Sequence, residues 1–538
     1  MSRAEGGLRP CWREGKTDRT KRMKRRIYPV LIAMTAVLVA CGGQNDELIH
    51  IRDGGPNGDD VTVPGDADNG GSYPTTPPAR ICDSPMLLDG PPTAPTDAIK
   101  VPAGDNTTMN FGTAGTTYWF APGVHTLGTA RSSQIIPADN ATFIGAPGAI
   151  IDGQNVNQYA FTQHAINVRI AYLEIRNFVS PNNEGVVNHD GGEGWLIEYN
   201  FMHHNGGAAV FVSSGNVLRY NCLRDNRQYG FQGIGPGGGG EAVGITLDHN
   251  EIARNDTGDL EHVGGGCGCS GGGKFWDVNG AVVTNNWVHD NLSVGLWADT
   301  NNRNFLMEGN YVDNNYAEAI IYEISYNAQI RRNTFKRNAL GKGGEFAARN
   351  DNFPVAAIYL SEAGGDSRVP GTPTVEIGGN DFEDNWSGVT LWENADRFCN
   401  SPSNTSATYC TLVSPDATRT SCVQPGIATA PLYDDCRWKT QNVDVHHNEF
   451  RVTPANIGCT NHFCARQAIL SNLGTSPSWS PYLGLSISNA ITFNQNNRFR
   501  NNRYFGPWRF IARDTSMDID FAAWQAVPYG QDPASTMQ

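Results

Sequence analysis

Ten times along this chain an Asn is followed two places on by an apolar residue and five places on by a second polar residue. The copies begin at Asn177, Asn200, Asn221, Asn250, Asn286, Asn310, Asn333, Asn380, Asn448 and Asn497, and in nine the second polar residue is also Asn. Self-similarity at roughly 20–25 residues marks a stacked-coil solenoid. Alternating segments such as Val217-Leu-Arg-Tyr220 and Val443-Asp-Val-His446 precede the copies. Period-two alternation rich in β-branched residues reads as strand. Asn tolerates the left-handed backbone of a tight corner. Its amide can also bond the Asn one coil away, as in cross-β ladders. No helical period of useful length follows the leader.

A short strand, an Asn corner, an inward apolar residue and a second corner make one turn of an all-β, single-stranded parallel β-helix. From Pro102 to Arg513 the chain resembles the right-handed parallel β-helix superfamily of pectate lyases, polygalacturonases and their relatives. The opening segments Tyr118–His125 and Gly145–Gly153, and the closing Phe521–Gln525 with Gly530-Gln-Asp532, are similar to the first coils and the tails of such proteins. The resemblance implies a carbohydrate-active protein.

Residues 21–26 form a basic run, Ile27–Leu38 is apolar but too short to span a bilayer, and Leu38-Val-Ala-Cys41 resembles a bacterial lipobox. The expectation is a signal peptide over 1–40, with 1–22 as an over-extended start, and lipidation at Cys41. The chain is then exported and attached to a membrane by a lipid anchor alone. The Gly-, Pro- and Asp-rich stretch 41–80 reads as a disordered tether, and 81–538 as the helix domain. A Cys-rich insertion is expected at about 396–440 and a closing segment at about 514–538. Without residues 1–40 the chain carries 30 Lys and Arg against 51 Asp and Glu, a balance of −21 that argues against nucleic acid. A monomer is expected. Ten Cys follow Cys41, six of them between 399 and 464; disulfides are the default in an exported chain. Cys267 and Cys269 with His262 are the rival zinc reading.

Coil regularity predicts the site. If the small residues after each second Asn are equivalent, Val210, Phe231, Phe275, Leu296 and Ile320 point inward. Lys274, Trp276, Trp297, Asp299 and Glu323 then share an outer face on consecutive coils. Tyr322, Tyr359, Trp392 and His262 complete the expected substrate-binding set, and Glu362 and Glu393 end neighbouring strands. Val389 and Leu391 predict a one-residue slip in the coil carrying Trp392. The interruptions 256–271 and 341–354 are expected to rim this face. Aromatic faces stack on sugars, and paired carboxylates act as acid, base or metal ligands. The leading expectation is a polysaccharide lyase acting by β-elimination on a uronic-acid glycan. In it Lys274 is the base and Asp299 and Glu323 hold Ca²⁺. The alternatives are a glycoside hydrolase using Asp299 and Glu323 as acid and base, an epimerase, and a non-catalytic surface glycan-binding protein or adhesin.

Overall fold

The computed structural model describes residues 72–538, apart from 163, 264–268, 403–409, 411–413 and 485. The expected signal peptide, Cys41, most of the tether and Cys267 lie outside the described residues. Three long sheets, of 15, 14 and 11 strands, run the length of the molecule. From the coil of Gly185–Val187 onward each coil contributes a strand to each sheet in turn, and successive coils pair in parallel, as for Met202 on Leu223 and Leu223 on Ile252. An antiparallel pair, Phe510 with Ile519, closes the third sheet.

The apolar residue of the repeat forms one continuous inward stack. Met202, Leu223, Ile252, Val288, Val312, Phe335, Phe382 and Phe450 pair in register, ending on Tyr504. All are buried, and each removes roughly 1.5–3 kcal/mol worth of apolar side chain from water. Adjacent rings meet at 5.0 Å (Phe335 and Phe382) and 4.5 Å (Phe382 and Phe450).

Two Asn ladders flank this stack. The first runs from Asn200 through 221, 250, 286, 310, 333, 380 and 448 to Asn502, each amide donating to the next Oδ1 at 3.0–3.2 Å. The second joins Asn205, 226, 255, 291, 315, 338 and 385 at 2.9–3.1 Å. The left-handed residue is the one before each Asn: Tyr199, Tyr220, His249 and Asn285, for example, have φ of 51–57°. The Asn itself turns inward, where its amide also donates to carbonyls such as Ile197 O (2.8 Å, from Asn221). Burial demands a partner for that amide, which fixes Asn at this point and leaves the strained corner to its predecessor.

Two copies are out of phase. Asn177 is itself left-handed at φ 59°, and the strand Glu174–Arg176 pairs with Phe201–His203, so Asn177 aligns with His204 rather than with a ladder Asn. Asn497 precedes a first-sheet strand and accepts from Val443 N; its partner Asn502 ends the ladder. Buried Asp532 then takes the place of a further Asn, accepting from Asn502 (2.9 Å), Tyr504 (2.8 Å) and Trp524 (2.8 Å).

Residues 72–91 form a strap on the outside of the second sheet. Thr334 donates to Pro74 O at 2.5 Å, the Ile81 and Cys82 amides donate to buried Glu251 at 2.7 and 2.8 Å, and Trp119 Nε1 donates to Pro91 O at 2.9 Å. A Cys82–Cys222 disulfide fixes the strap. Cys399–Cys410, Cys422–Cys436 and Cys459–Cys464 staple the Cys-rich region. Among the short helices that interrupt the coils are α1, Leu260–Val263, and α2, Leu340–Ala348. The nine residues of α2 are a helical run that the repeat pattern does not predict. No helix among the described residues is long and apolar enough to cross a membrane.

Candidate functional site

The third sheet carries two outward ladders. In one, Gln232, Lys274, Trp297, Ile321, Tyr359 and Thr390 lie side by side on successive coils. In the other, Trp276 pairs with Asp299, Asp299 with Glu323, Glu323 with Ser361 and Ser361 with Trp392. Lys274, Asp299 and Glu323, scattered in sequence, are therefore cross-strand neighbours. The slip expected at Val389 and Leu391 does not occur, because Val389 pairs with Ile358 and Leu391 with Leu360, all inward. Four coil steps of ~4.8 Å separate Trp276 from Trp392, about 19 Å.

This face is recessed rather than open. Lys274, Trp297, Glu323 and Tyr359 are only 5–6 % exposed and Asp299 9 %, whereas Trp276 and Trp392 are half-buried. The two interruptions roof the beginning of the strands. Glu261 of α1 accepts from Ser293 Oγ at 2.9 Å, Lys342 of α2 pairs with Glu318 at 3.0 Å, and Phe353 meets the Tyr359 and Trp392 rings edge-on at 5.7 and 5.4 Å. His262 lies on the roof, not on the sheet: it contacts Asp259, joins α1 to α2 through Glu345 (3.1 Å), and meets the Tyr316 hydroxyl at 3.2 Å.

Tyr322 is a correction. It is fully buried within the core and its hydroxyl donates to Tyr326 O at 3.0 Å. It pairs with Ala298 and Leu360, so alternation turns it inward, away from any substrate.

Each carboxylate is held by a cation. Lys274 Nζ lies 2.8 Å from Asp299 and 3.8 Å from the centre of the Trp297 ring, with the Trp276 ring at 5.4 Å. Thr300 Oγ1 donates to Asp299 at 2.8 Å. Burial, the largest influence, works against the Lys274 charge, but Asp299, Cys269 and Glu323 together outweigh it and the ammonium pKa is raised. Lys274 is thus a cation at neutral pH and not a free base. Glu323 pairs with Arg397, which also reaches Glu362 at 2.7 Å. Burial pushes Glu362 up to about 7; Arg397 opposes this and Glu323 reinforces it. A Ca²⁺ site does not fit these residues. Both carboxylates already have cationic partners, and among the described residues no group of three or more His, Cys, Asp or Glu side chains suits a metal.

Arg397 is the residue that sequence reasoning misses. It lies in the Cys-rich insertion, where the repeat gives no phase, and is held there by Cys399, whose amide donates to Cys436 O at 2.8 Å. Glu362 has a sequence signal, the end of the strand Ile358–Ser361, but no pattern points to its partner.

The family description "Right handed beta helix region" matches residues 233–357, the coils that carry Lys274, Asp299 and Glu323. The fold is a right-handed parallel β-helix. This β-helix resembles several solved structures. The mannuronan C-5 epimerase AlgE4 A-module of Azotobacter vinelandii is 15 % identical over 56 % of this chain and 83 % of its own, with a TM-score of 0.37. The catalytic unit of a thermostable GH87 alpha-1,3-glucanase of Streptomyces thermodiastaticus is 13 % identical over 79 % of this chain and 71 % of its own, at 0.46. A variant of the periplasmic alginate epimerase AlgG is 11 % identical over 67 % and 73 %, at 0.35. At these levels the likeness is one of fold. A search of curated protein sequences finds no match for this β-helix.

Proposed function

We propose that this β-helix is an exported, lipid-anchored enzyme that cleaves a polysaccharide lying along the third sheet, parallel to the solenoid axis. The single observation that carries this reading is the ladder Trp276, Asp299, Glu323, Ser361, Trp392. Two half-exposed indoles stand at its ends and two carboxylates lie between them, room for a short run of sugar rings. Indole faces stack on sugars, and a pair of carboxyl groups is the usual machinery for breaking a glycosidic bond. The four disulfides among the described residues suit an oxidising compartment, in keeping with the leader and with anchoring at Cys41.

Hydrolysis is favoured over elimination. One carboxyl group protonates the departing glycosidic oxygen, and the other draws the proton from an attacking water or attacks the anomeric carbon itself. Asp299 and Glu323 fill these roles, with Lys274 and Arg397 as positioning residues. Elimination through Lys274 would need a neutral amine, which contact with Asp299 at 2.8 Å opposes. A second reading, non-catalytic glycan binding, is favoured by the low exposure of Asp299 and Glu323.

Incubation of the purified chain with a panel of polysaccharides tests the proposal. Release of reducing ends without the ultraviolet absorbance of an unsaturated product marks hydrolysis, and that absorbance marks elimination. Asp299→Asn and Glu323→Gln should each cut the rate by at least about 100-fold with the circular dichroism spectrum unchanged. Binding with no bond cleaved would sink the enzymatic reading.

A further inference from the structure

We propose that the groove takes a neutral glycan, a hexose polymer without carboxylate or sulfate groups. The proposal rests on the polysaccharide-cleaving reading and names the substrate class of that same site. It starts from the charges around the groove. Asp299, Glu323 and Glu362 lie on or beside its floor, and Asp256, Glu261 and Glu318 lie at the roofed edge, all buried. Arg466, at the roofed edge, is taken up by the carbonyls of Asn352, Phe353 and Phe463; the cations in contact with the carboxylates are Lys274, Lys342 and Arg397. Each is already in contact with a carboxylate: Lys274 with Asp299 at 2.8 Å, Lys342 with Glu318 at 3.0 Å, and Arg397 with Glu362 at 2.7 Å as well as with Glu323.

A polyuronate brings one negative charge per sugar into this setting. To find a counter-charge it must displace Asp299 from Lys274, or Glu323 and Glu362 from Arg397. Either exchange strands a buried protein carboxylate, and without it the uronate faces like charges at low dielectric. The Lys274 ammonium offers little to an incoming anion, enclosed as it is by Asp299 and the Trp297 ring.

The other polar atoms of the face point the same way. The Gln232 amide oxygen and the Trp297 indole N–H are buried without a hydrogen-bond partner. They stand on the coils either side of Lys274 in the same ladder. An uncharged acceptor and an uncharged donor are complementary to a hydroxyl group, which is both. The indoles of Trp276 and Trp392 stack on the C–H face of a sugar, a contact that needs no charge.

Paired ligands that differ only in charge test this. Affinity electrophoresis and initial rates of the full chain would be measured on soluble neutral glucans, galactans and mannans, on the same polymers after carboxymethylation, and on polygalacturonate and alginate. The expected result is that a neutral polymer is bound and cleaved, while its carboxymethylated form is at least about 100-fold weaker at low salt. Added salt should narrow that gap, because it screens like-charge repulsion. Equal or tighter binding and cleavage of a uronate or carboxymethylated polymer would overturn the neutral assignment and leave the polysaccharide-cleaving reading intact. If no polymer of either kind is bound or cleaved, both fall together.

Discussion

Arg397 uses one nitrogen, Nη1, to hold two carboxylates, Glu323 and Glu362, from strands of neighbouring coils. The guanidinium comes from outside the repeat, yet it sets the charge state of the face that the repeat builds. Removing it leaves two buried carboxylates facing each other. Arg397→Ala should cost about 3–5 kcal/mol in urea unfolding, the usual result of breaking a buried ion pair from one side. Arg397→Lys, which keeps the charge but loses the planar fork, should recover part of that. A change below about 1 kcal/mol for the alanine variant would show that the contact carries little weight.

The pH dependence of stability should carry the mark of Glu362. Its folded pKa of about 7 lies above the ordinary 4.5, so the native state holds a proton that the unfolded chain has released. That contribution is fully present below about pH 4.5 and is lost as pH rises through about 7. Asp256, pushed up to about 6 by burial, acts in the same direction at slightly lower pH. Glu362→Gln should flatten the fall in stability between these limits, an effect on the order of 3 kcal/mol. Denaturant midpoints of both proteins at the two ends of the window measure it, and parallel curves would exclude Glu362 as the source.

The Asn ladders predict a local cost with a global range. Asn310 donates to Asn333 Oδ1 at 3.0 Å and to Val283 O at 2.8 Å, and accepts from Asn286 at 3.0 Å. Asn310→Ala orphans the Asn286 amide and Val283 O on the preceding coil, removes one donor from Asn333 Oδ1 on the next, and should destabilise by about 1–3 kcal/mol. Amide exchange should quicken first at Asn286 and in the coil of Asn333. Asn177→Ala, at an out-of-phase copy, should cost less, since Asn177 donates to Asp152 and belongs to no ladder.

Metal removal should have no effect. Lys274 and Arg397 already neutralise Asp299 and Glu323, so excess chelator is expected to leave both glycan cleavage and the melting temperature unchanged. Activity lost in chelator and restored by Ca²⁺ would overturn this account of the site.

Period-two strands joined by recurring Asn were enough to read the solenoid. The residue count of each coil then placed Lys274, Asp299 and Glu323 side by side, because parallel in-register pairing makes sequence phase a spatial coordinate. Asn177 and Asn497 match the phrase but not the register, since a five-residue spacing does not say which corner an Asn occupies. Tyr322, expected among the substrate contacts, lies between outward Ile321 and Glu323, and the alternation turns it inward.

By itself, then, the sequence determined the fold class, the inward stack and the neighbours on each sheet, because these depend on local periodicity repeated many times. Only the tertiary structure decided that the carboxylate face is roofed, that α1 and α2 are joined through His262 and Glu345, and that Arg397 closes the charge network on Glu323 and Glu362. Those contacts come from segments inserted between coils. An insertion has no phase, so its residues reach the site through chain paths that no repeat spacing encodes.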